Sequence, residues 1–134
     1  MMEKAIVEKL IGIAIEQLRF SYAPYSHFKV GAALLAKNGT VYGGCNIENA
    51  AYGPSNCAER TAVFKAVSEG HRKFKRIAIA TAGEKMSGPC GVCRQVLHEF
   101  APDLEIILIN CKNETVEYTL TELLPHSFGP ADLA

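Results

Sequence analysis

The stretch that decides the fold runs from Arg76 to Asn110 and reads RIAIATAGEKMSGPCGVCRQVLHEFAPDLEIILIN. Its two ends, Arg76 to Thr81 and Leu104 to Asn110, are short and almost wholly apolar, which predicts two strands that are buried on both faces of a sheet. Between them, a helix is expected from Cys90 to about Phe100, ended by Pro102. The segment therefore predicts a strand, a helix and a second strand, with two cysteines at the start of the helix.

The sequence on either side predicts further elements of both kinds. An amphipathic helix is expected from about Ala5 to Leu18, because Ile6, Leu10, Ile13, Ala14 and Leu18 recur at spacings of three and four. The pair Asn38-Gly39 favours a hairpin turn between two strands. The other expected elements are strands at Phe28–Leu35, Thr40–Cys45 and Val116–Thr119, a helix at about Ala58–Glu69 and a helical turn at Thr121–Leu124. This order predicts an α/β fold in which one mixed β-sheet is sandwiched between helices in three layers, within a single domain of residues 1–134.

Composition is typical of a small globular enzyme. Of the 134 residues, 49% are hydrophobic and 21% are charged, which argues against a disordered or fibrous chain. The 14 basic and 14 acidic residues cancel, so neither nucleic acid nor an anionic membrane is an expected partner. We expect no signal peptide, and the longest apolar runs are too short to span a bilayer. Five cysteines, an odd number, argue against a closed set of disulfides and favour the cytoplasm.

Three cysteines stand at predicted helix starts, which is a pattern that predicts a metal site. Cys57 precedes one helix, and Cys90 opens another with Cys93 one turn further along. If the two helices converge, three thiolates meet one ion, and a tetrahedral zinc ion with three protein ligands keeps a fourth position for water. We therefore predict a reactive Zn²⁺ site.

Other interpretations of the cysteines fit less well. Burial as small core residues accounts for Cys45 and Cys111, but it accounts poorly for a CxxC at a helix start. A closed structural zinc site would need a fourth ligand, and none of the remaining cysteines and the four histidines lies in a second ligand pair. A redox CxxC would leave Cys57 and Glu59 unexplained.

Charged residues flank the predicted ligands. Glu59, two residues after Cys57, can hydrogen-bond a water at the metal and relay its proton, so we predict that it is the catalytic acid–base group. Three thiolates leave zinc with a net negative charge, which weakens it as a Lewis acid. Arg60 is placed to donate to the thiolates and so to offset this charge, and Arg94 is a weaker candidate for the same role.

The segments Cys57-Ala58-Glu59-Arg60 and Pro89-Cys90-Gly91-Val92-Cys93-Arg94 resemble the zinc-dependent cytidine deaminases of the short, homotetrameric three-cysteine type. The resemblance covers nearly the whole chain, including Phe28–Ala33, Cys45–Ala50 and Arg94–Leu97. The zinc motifs alone would indicate only the wider deaminase superfamily, whereas Asn46-Ile47-Glu48-Asn49 makes the nucleoside assignment specific. The resemblance implies hydrolytic deamination of cytidine and deoxycytidine, with zinc activating a water that attacks C4 and Glu59 shuttling the protons.

The resemblance also implies how the substrate is held. Asn46 and Glu48, two residues apart at a strand end, match the family's pair that holds the 3′-hydroxyl of the ribose. Phe28 matches the phenylalanine that packs against the pyrimidine. The backbone N–H of Ala58, at a helix start, is the expected donor to the 2-carbonyl of the base.

The family's oligomeric state places one further residue in the site. In the family, the segment that contains Phe128 reaches into a neighbouring subunit, and its aromatic ring closes over the base. Each site is then composite and the protein is a homotetramer. By the same transfer, Ala50 and Tyr52 are expected near a subunit junction.

Three rival functions are less favoured. A deaminase of the blasticidin type shares the cysteine motifs, but Asn46 and Glu48 suit a nucleoside with intact hydroxyls. A polynucleotide deaminase would be expected to carry a basic stripe with interleaved aromatic residues, which is absent here. A zinc-stapled binding module stays possible, and turnover of cytidine with and without a chelator distinguishes it from an enzyme.

Overall fold

The computed structural model describes residues 2–134, in which five strands form one sheet with helices on both faces. The helices are α1 (Met2–Gln17), α2 (Ala58–Ser68), α3 (Gly91–Phe100) and α4 (Leu120–Leu123), with short 3₁₀ turns at Leu18–Phe20 and Pro130–Asp132. The strands are β1 (Val30–Ala36), β2 (Val41–Cys45), β3 (Phe74–Thr81), β4 (Glu105–Ile109) and β5 (Thr115–Thr119).

The strand order β2-β1-β3-β4-β5 makes the sheet mixed, as the sequence predicts. Strands β3 and β4 are parallel and are joined through α3, whereas the other neighbouring strands are antiparallel. The hairpin between β1 and β2 turns at Asn38-Gly39, where Gly39 adopts a φ of 95° and the Asn38 side chain accepts a hydrogen bond from the Thr40 N–H at 3.0 Å. The predicted turn is therefore confirmed.

Helices cover both faces, so the predicted three-layer architecture is confirmed. Along β3, Ile77 and Ile79 face the cluster under α2 and α3, whereas Ala78 and Ala80 face the cluster under α1. This alternation explains why β3 is apolar at almost every position. None of the helices within residues 2–134 has the length and hydropathy that a membrane crossing requires.

Three local predictions are wrong. Strand β1 begins at Val30 rather than at Phe28, because residues 22–28 form a loop that docks on the segment after β2. Ile6 is exposed, since α1 buries Leu10 and Ala14 against the sheet nearer its centre. Cys111 is exposed in the turn after β4, so it is not a core residue.

A glycine in β2 lets α2 approach the sheet closely. A Cβ at Gly44 would lie 2.6 Å from the carbonyl oxygen of Ala58 and 2.6 Å from the amide nitrogen of Ala62. Both of these atoms are backbone atoms of α2, so any larger residue would push the helix outward. Because Glu59 lies in the first turn of α2, Gly44 helps to fix the depth at which this carboxyl group is buried.

Candidate active site

Two helix starts bring the three predicted ligand cysteines together. Cys57 is the N-cap of α2 and Cys90 is the N-cap of α3, both with extended backbone angles. Cys93 lies in the first turn of α3, and its N–H donates to the Cys90 sulfur at 3.4 Å. The three sulfur atoms lie within 4.8 Å of one another.

The spacing and chemistry of these sulfurs suit zinc. A tetrahedral zinc ion with Zn–S bonds of about 2.3 Å separates two sulfur ligands by about 3.8 Å. The sulfurs of Cys57 and Cys90 are 3.7 Å apart. Among residues 2–134, the group of possible ligands at this point consists of these three cysteines. The residues therefore fit a zinc ion that keeps one position for a water or a substrate.

Hydrogen bonds make the Cys57 thiol more acidic than an ordinary cysteine. The hydrogen bond from Cys93 and then that from Arg60 lower the pKa of Cys57 to about 5, against burial, which acts in the opposite direction. The same bond to Cys57, followed by burial, raises the pKa of Cys93. A metal ion binds the thiolate form, so a thiol with a lowered pKa gives up its proton to solvent more easily when the metal ion binds.

Glu59 is the buried acid of the site. Its residue is only 4% exposed, and its carboxyl group faces the pocket beside the thiols. Burial raises the pKa of Glu59 to about 7, and the charge of the Cys57 thiolate acts in the same direction. A carboxyl group with a pKa near neutrality can both accept and donate a proton during a reaction cycle.

The two arginines have different contacts. The Nη2 atom of Arg60 donates to the Cys57 sulfur at 3.3 Å, which is the contact that the sequence predicts. Arg94 instead donates to the carbonyl oxygens of Pro89 and Leu123, each at 2.8 Å. Arg94 thus connects the loop before Cys90 to α4, and its hydrogen bonds favour a structural role over charge compensation at the thiols.

A pocket of about 580 Å³ opens beside the thiols. It is lined by Phe28, Asn46, Glu48, Ala58 and Glu59 together with Cys57 and Cys90, so it contains most of the residues that the sequence selects. Two larger surface grooves, of about 630 and 770 Å³, lie around Arg76 and Glu105 at the other end of β3 and β4, away from the thiols. Of these three cavities, the pocket beside the thiols is the one that is lined by cysteines and by Glu59.

Asn46 and Glu48 already hold the protein's own backbone. The Oδ1 atom of Asn46 accepts from the Val30 N–H at 2.9 Å and from the Ser21 hydroxyl, while its Nδ2 donates to the Phe28 carbonyl at 2.7 Å. Glu48 accepts three hydrogen bonds from the loop: the N–H groups of Tyr25 and Ser26 at 3.0 and 3.1 Å, and the Ser26 hydroxyl. The bond from the Ser26 hydroxyl is the main reason why the pKa of Glu48 lies below its usual range.

Phe128 lies outside the pocket of its own chain. Its ring is 59% exposed, and its segment is held on α3 by contacts from Gln95 and His98. The Gln95 amide donates to the Phe128 carbonyl at 2.8 Å, and the His98 ring is 3.1 Å from the Ser127 hydroxyl. Tyr52 and Ala50 are both exposed, and Tyr52 contributes to the rim of the pocket.

Ser26 and Thr81 also line the pocket, although no sequence motif marks them as site residues. Ser26 joins Glu48 to the loop, and only its position one residue before His27-Phe28 could have drawn attention to it. Thr81 ends β3 with a buried hydroxyl that has no hydrogen-bond partner within residues 2–134. The only signal for Thr81 in the sequence is a single polar residue at the end of an apolar strand.

Comparison with known proteins points to one family. The family model described as the cytidine and deoxycytidylate deaminase zinc-binding region matches residues 4–109. A cytidine deaminase from Sporosarcina psychrophila is 51% identical over 129 residues, which cover 96% of this chain and 95% of that protein. A cytidine deaminase from Halalkalibacterium halodurans is 49% identical over 127 residues, covering 94% of this chain and 96% of that protein.

A solved structure agrees with the sequence comparison. The crystal structure of a cytidine deaminase from Burkholderia pseudomallei matches with a TM-score of 0.87 at 45% sequence identity. The match covers 90% of this chain and 98% of the other. The two proteins are therefore similar in sequence as well as in fold.

Proposed function

The chain belongs to the family of zinc-binding cytidine and deoxycytidylate deaminases, and we infer from this membership that it deaminates cytidine and deoxycytidine hydrolytically. The products are uridine or deoxyuridine and ammonia. The observation that carries the inference is the meeting of three thiols with a buried carboxyl group in one pocket. Such a site supplies both a metal-activated water and a proton carrier, which are the two requirements for hydrolysing an aromatic amine.

Cys57, Cys90 and Cys93 would hold the zinc ion through their sulfurs. When bound, zinc lowers the pKa of a coordinated water so that it can attack a carbon atom at neutral pH. Arg60 places a positive charge on the thiolate side of the site, 3.3 Å from the Cys57 sulfur. This charge offsets part of the excess negative charge of three thiolates, which keeps the metal electrophilic.

Glu59 would move the protons. Its carboxylate takes a proton from the attacking water and delivers it to N3 of the cytosine ring, which makes C4 more electrophilic. After the new C4–O bond has formed, Glu59 takes the remaining proton of that oxygen and passes it to the amino group. The C4–N bond then breaks, ammonia leaves and the C4 carbonyl of uridine remains. Burial of Glu59 keeps bulk water from competing for these protons.

The hydrogen-bond count of Asn46 and Glu48 supports their role in holding one sugar hydroxyl. An ionised carboxylate has about four acceptor positions, and the loop occupies three of them on Glu48. Asn46 uses both acceptor positions of its oxygen and one of its two N–H donors on the chain itself. One acceptor and one donor are left, which is what a single hydroxyl group requires, and by the family resemblance it is the 3′-hydroxyl.

The base would lie between Phe28 and the start of α2. Phe28 offers a half-exposed ring at the pocket. The N–H of Ala58 belongs to the first turn of α2, where backbone donors have no acceptor within the helix, so it is available to the 2-carbonyl of the base. Together these contacts would orient C4 toward the thiols and N3 toward Glu59.

We further propose a homotetramer in which Phe128 of each subunit closes a neighbouring site. The exposed ring, held on α3 yet outside its own pocket, supports this proposal. Exposed Tyr52 and Ala50 are then buried near the junction. We also propose that residues 1–134 act as one catalytic domain. Because the site needs reduced thiols, we propose a cytoplasmic location.

The decisive experiment measures turnover together with metal content. The purified protein should contain one zinc ion per chain and deaminate cytidine and deoxycytidine, and a chelator should abolish the activity until zinc is restored. Cytosine, CMP and blasticidin S, tested beside them, should be poorer substrates, since they lack the sugar, carry an added phosphate or have an altered sugar. A zinc-loaded protein that deaminates none of these compounds would refute the proposed function.

A further inference from the structure

The hydroxyl of Ser26 stands between the two parts of the pocket that would hold the sugar and the base. It donates to the Oε2 atom of Glu48, and it accepts a hydrogen bond from the N–H of Phe28 at 3.0 Å. Serine can make both bonds at once, because a hydroxyl has one donor and two acceptor positions. One small group therefore connects the carboxylate to the backbone of the aromatic residue.

The loop of residues 22–28 is attached to the segment of residues 46–48 at both ends. At its beginning, the Tyr22 N–H donates to the Asn46 carbonyl at 3.0 Å, and the Glu48 N–H donates to the Tyr22 carbonyl at 2.8 Å. At its end, the Phe28 carbonyl accepts from the Asn46 side chain at 2.7 Å. The loop and the segment therefore form one unit, with Ser26 as the hydroxyl contact near its centre.

The backbone next to Ser26 is strained in a way that serves this contact. His27 has a φ of 61°, a left-handed conformation that residues with a Cβ rarely adopt. The His27 N–H is bonded to the Ala23 carbonyl at 3.0 Å, and this conformation brings the Phe28 N–H back to the Ser26 oxygen. A strained residue persists where surrounding bonds determine its conformation. Here those bonds end on the Ala23 carbonyl and on the Ser26 oxygen, and the Ser26 hydroxyl in turn donates to Glu48.

We propose that Ser26 is a positioning residue that couples recognition of the sugar by Glu48 to the placement of Phe28 against the base. This inference rests on the proposed function, because it assumes that Glu48 and Phe28 contact a nucleoside. The Ser26 hydroxyl fixes the Glu48 carboxylate with one acceptor position left for the substrate, and it holds the Phe28 backbone in the same step. A site that is ordered in advance loses less freedom on binding.

Removal of the hydroxyl should weaken binding and spare the chemistry. In Ser26→Ala, Glu48 loses one of its three donors and Phe28 loses an acceptor. Glu59 and the thiols lie at the starts of α2 and α3 and make no hydrogen bond to Ser26, so they are untouched. Loss of one hydrogen bond to a charged group corresponds to about a tenfold effect. We therefore expect KM for cytidine to rise about tenfold while kcat stays within about twofold of the wild-type value.

The test compares variants at position 26 with two substrates. Ser26→Thr keeps a hydroxyl and should restore KM, and Ser26→Cys, a weak donor, should lie between Ser and Ala. Because the effect passes through Glu48, the fold-increase in KM caused by Ser26→Ala should be at least about three times larger for cytidine than for 3′-deoxycytidine. Ser68→Ala, which removes an exposed hydroxyl from α2, is the matched control and should leave KM unchanged.

Each outcome distinguishes the coupling from the function that it rests on. If Glu48→Ala raises KM for cytidine but Ser26→Ala does not, the coupling is refuted and the sugar contact stands. If Glu48→Ala leaves KM unchanged, the sugar contact itself is refuted. An equal effect of Ser26→Ala on both substrates, or a loss confined to kcat, zinc content or melting temperature, would also overturn the proposal, since a merely structural serine would behave in that way.

Discussion

Removal of the substrate's 3′-hydroxyl tests the central geometric argument about recognition. With 3′-deoxycytidine, the last acceptor position of Glu48 and the last donor of Asn46 stay without a substrate partner. A hydrogen bond to a charged group contributes about 1.5–3 kcal/mol. Glu48 is partly exposed, so water can replace the lost hydroxyl in part, and the lower part of that range applies. We expect kcat/KM to fall by about 10- to 30-fold, at 1.4 kcal/mol for each factor of ten.

The matching comparison is with 2′-deoxycytidine. Asn46 and Glu48 leave one donor and one acceptor, which is enough for one hydroxyl and not for two. We therefore expect kcat/KM for 2′-deoxycytidine to stay within about threefold of that for cytidine. Initial rates would be followed through the change in absorbance as cytosine becomes uracil, with zinc-loaded protein and all substrates in parallel.

Two results would refute this reasoning. One is a value of kcat/KM for 3′-deoxycytidine within threefold of that for cytidine. The other is an equal loss for the two deoxynucleosides, which would mean that the pair holds both hydroxyls or neither. In the protein, Glu48→Ala should reduce the difference in kcat/KM between cytidine and 3′-deoxycytidine. The control Glu16→Ala, at an exposed position of α1, should leave this difference unchanged.

Four further predictions concern the metal site, the fold and the oligomer. Glu59→Gln should keep zinc and the melting temperature but lose about 10²–10⁴-fold in kcat, because an amide cannot relay protons; a wild-type kcat in zinc-loaded protein would remove Glu59 from the reaction. Arg60→Ala should give up zinc to a chelator about 10- to 100-fold more readily, and unchanged zinc affinity with unchanged kcat/KM would show that its contact with the thiolate has no effect. In urea unfolding, Gly44→Ala should lower the free energy of unfolding by about 1–3 kcal/mol. The control Gly12→Ala places its Cβ in open space and should raise the free energy of unfolding by about 0.5–1 kcal/mol. Similar changes in both variants would contradict the close approach of α2 to the sheet. Subunits with Phe128→Ala mixed with subunits with Glu59→Gln should regain activity that neither has alone, and no gain at any mixing ratio would show that each site is complete within one chain.

Local signals in the sequence predict most of the fold. The apolar runs of β3 and β4, the turn at Asn38-Gly39 and the start of α2 all depend on neighbouring residues, and all form where they are expected. The candidate metal ligands are predictable for the same reason: Cys90 and Cys93 are one helical turn apart, and Cys57 stands at another helix start. The sequence does not show whether the two helix starts converge. The structure shows that they do, since the three sulfurs lie within 4.8 Å of one another.

Contacts between distant parts of the chain cannot be predicted from local sequence patterns. Ser26 and Glu48 are 22 residues apart, and Arg94 reaches Leu123 over 29 residues. Hydrogen-bond partners at such distances leave no periodic signal, so the sequence predicts a strand at Phe28, whereas this residue lies in a loop that is held by Asn46. For Arg94, the sequence could suggest charge compensation only from its proximity to Cys93, whereas the structure shows carbonyl acceptors.

The pocket consists of two halves that differ in burial, and this difference bears on both specificity and assembly. In the reactive half, Glu59 and Cys93 lie on helices packed against the sheet and are almost fully buried, whereas Cys90, at the start of α3, is exposed. In the recognition half, Asn46 is buried, whereas Phe28 and Tyr52 are exposed on a loop and a turn. Substitutions of the exposed Phe28 and Tyr52 should therefore alter KM with little change in stability, while those of Glu59 and Cys93 should affect metal binding and folding together. With Phe28 and Tyr52 exposed, the recognition half cannot by itself exclude water from a bound base, and this is the physical reason why an aromatic ring such as Phe128 from a neighbouring subunit would complete the site.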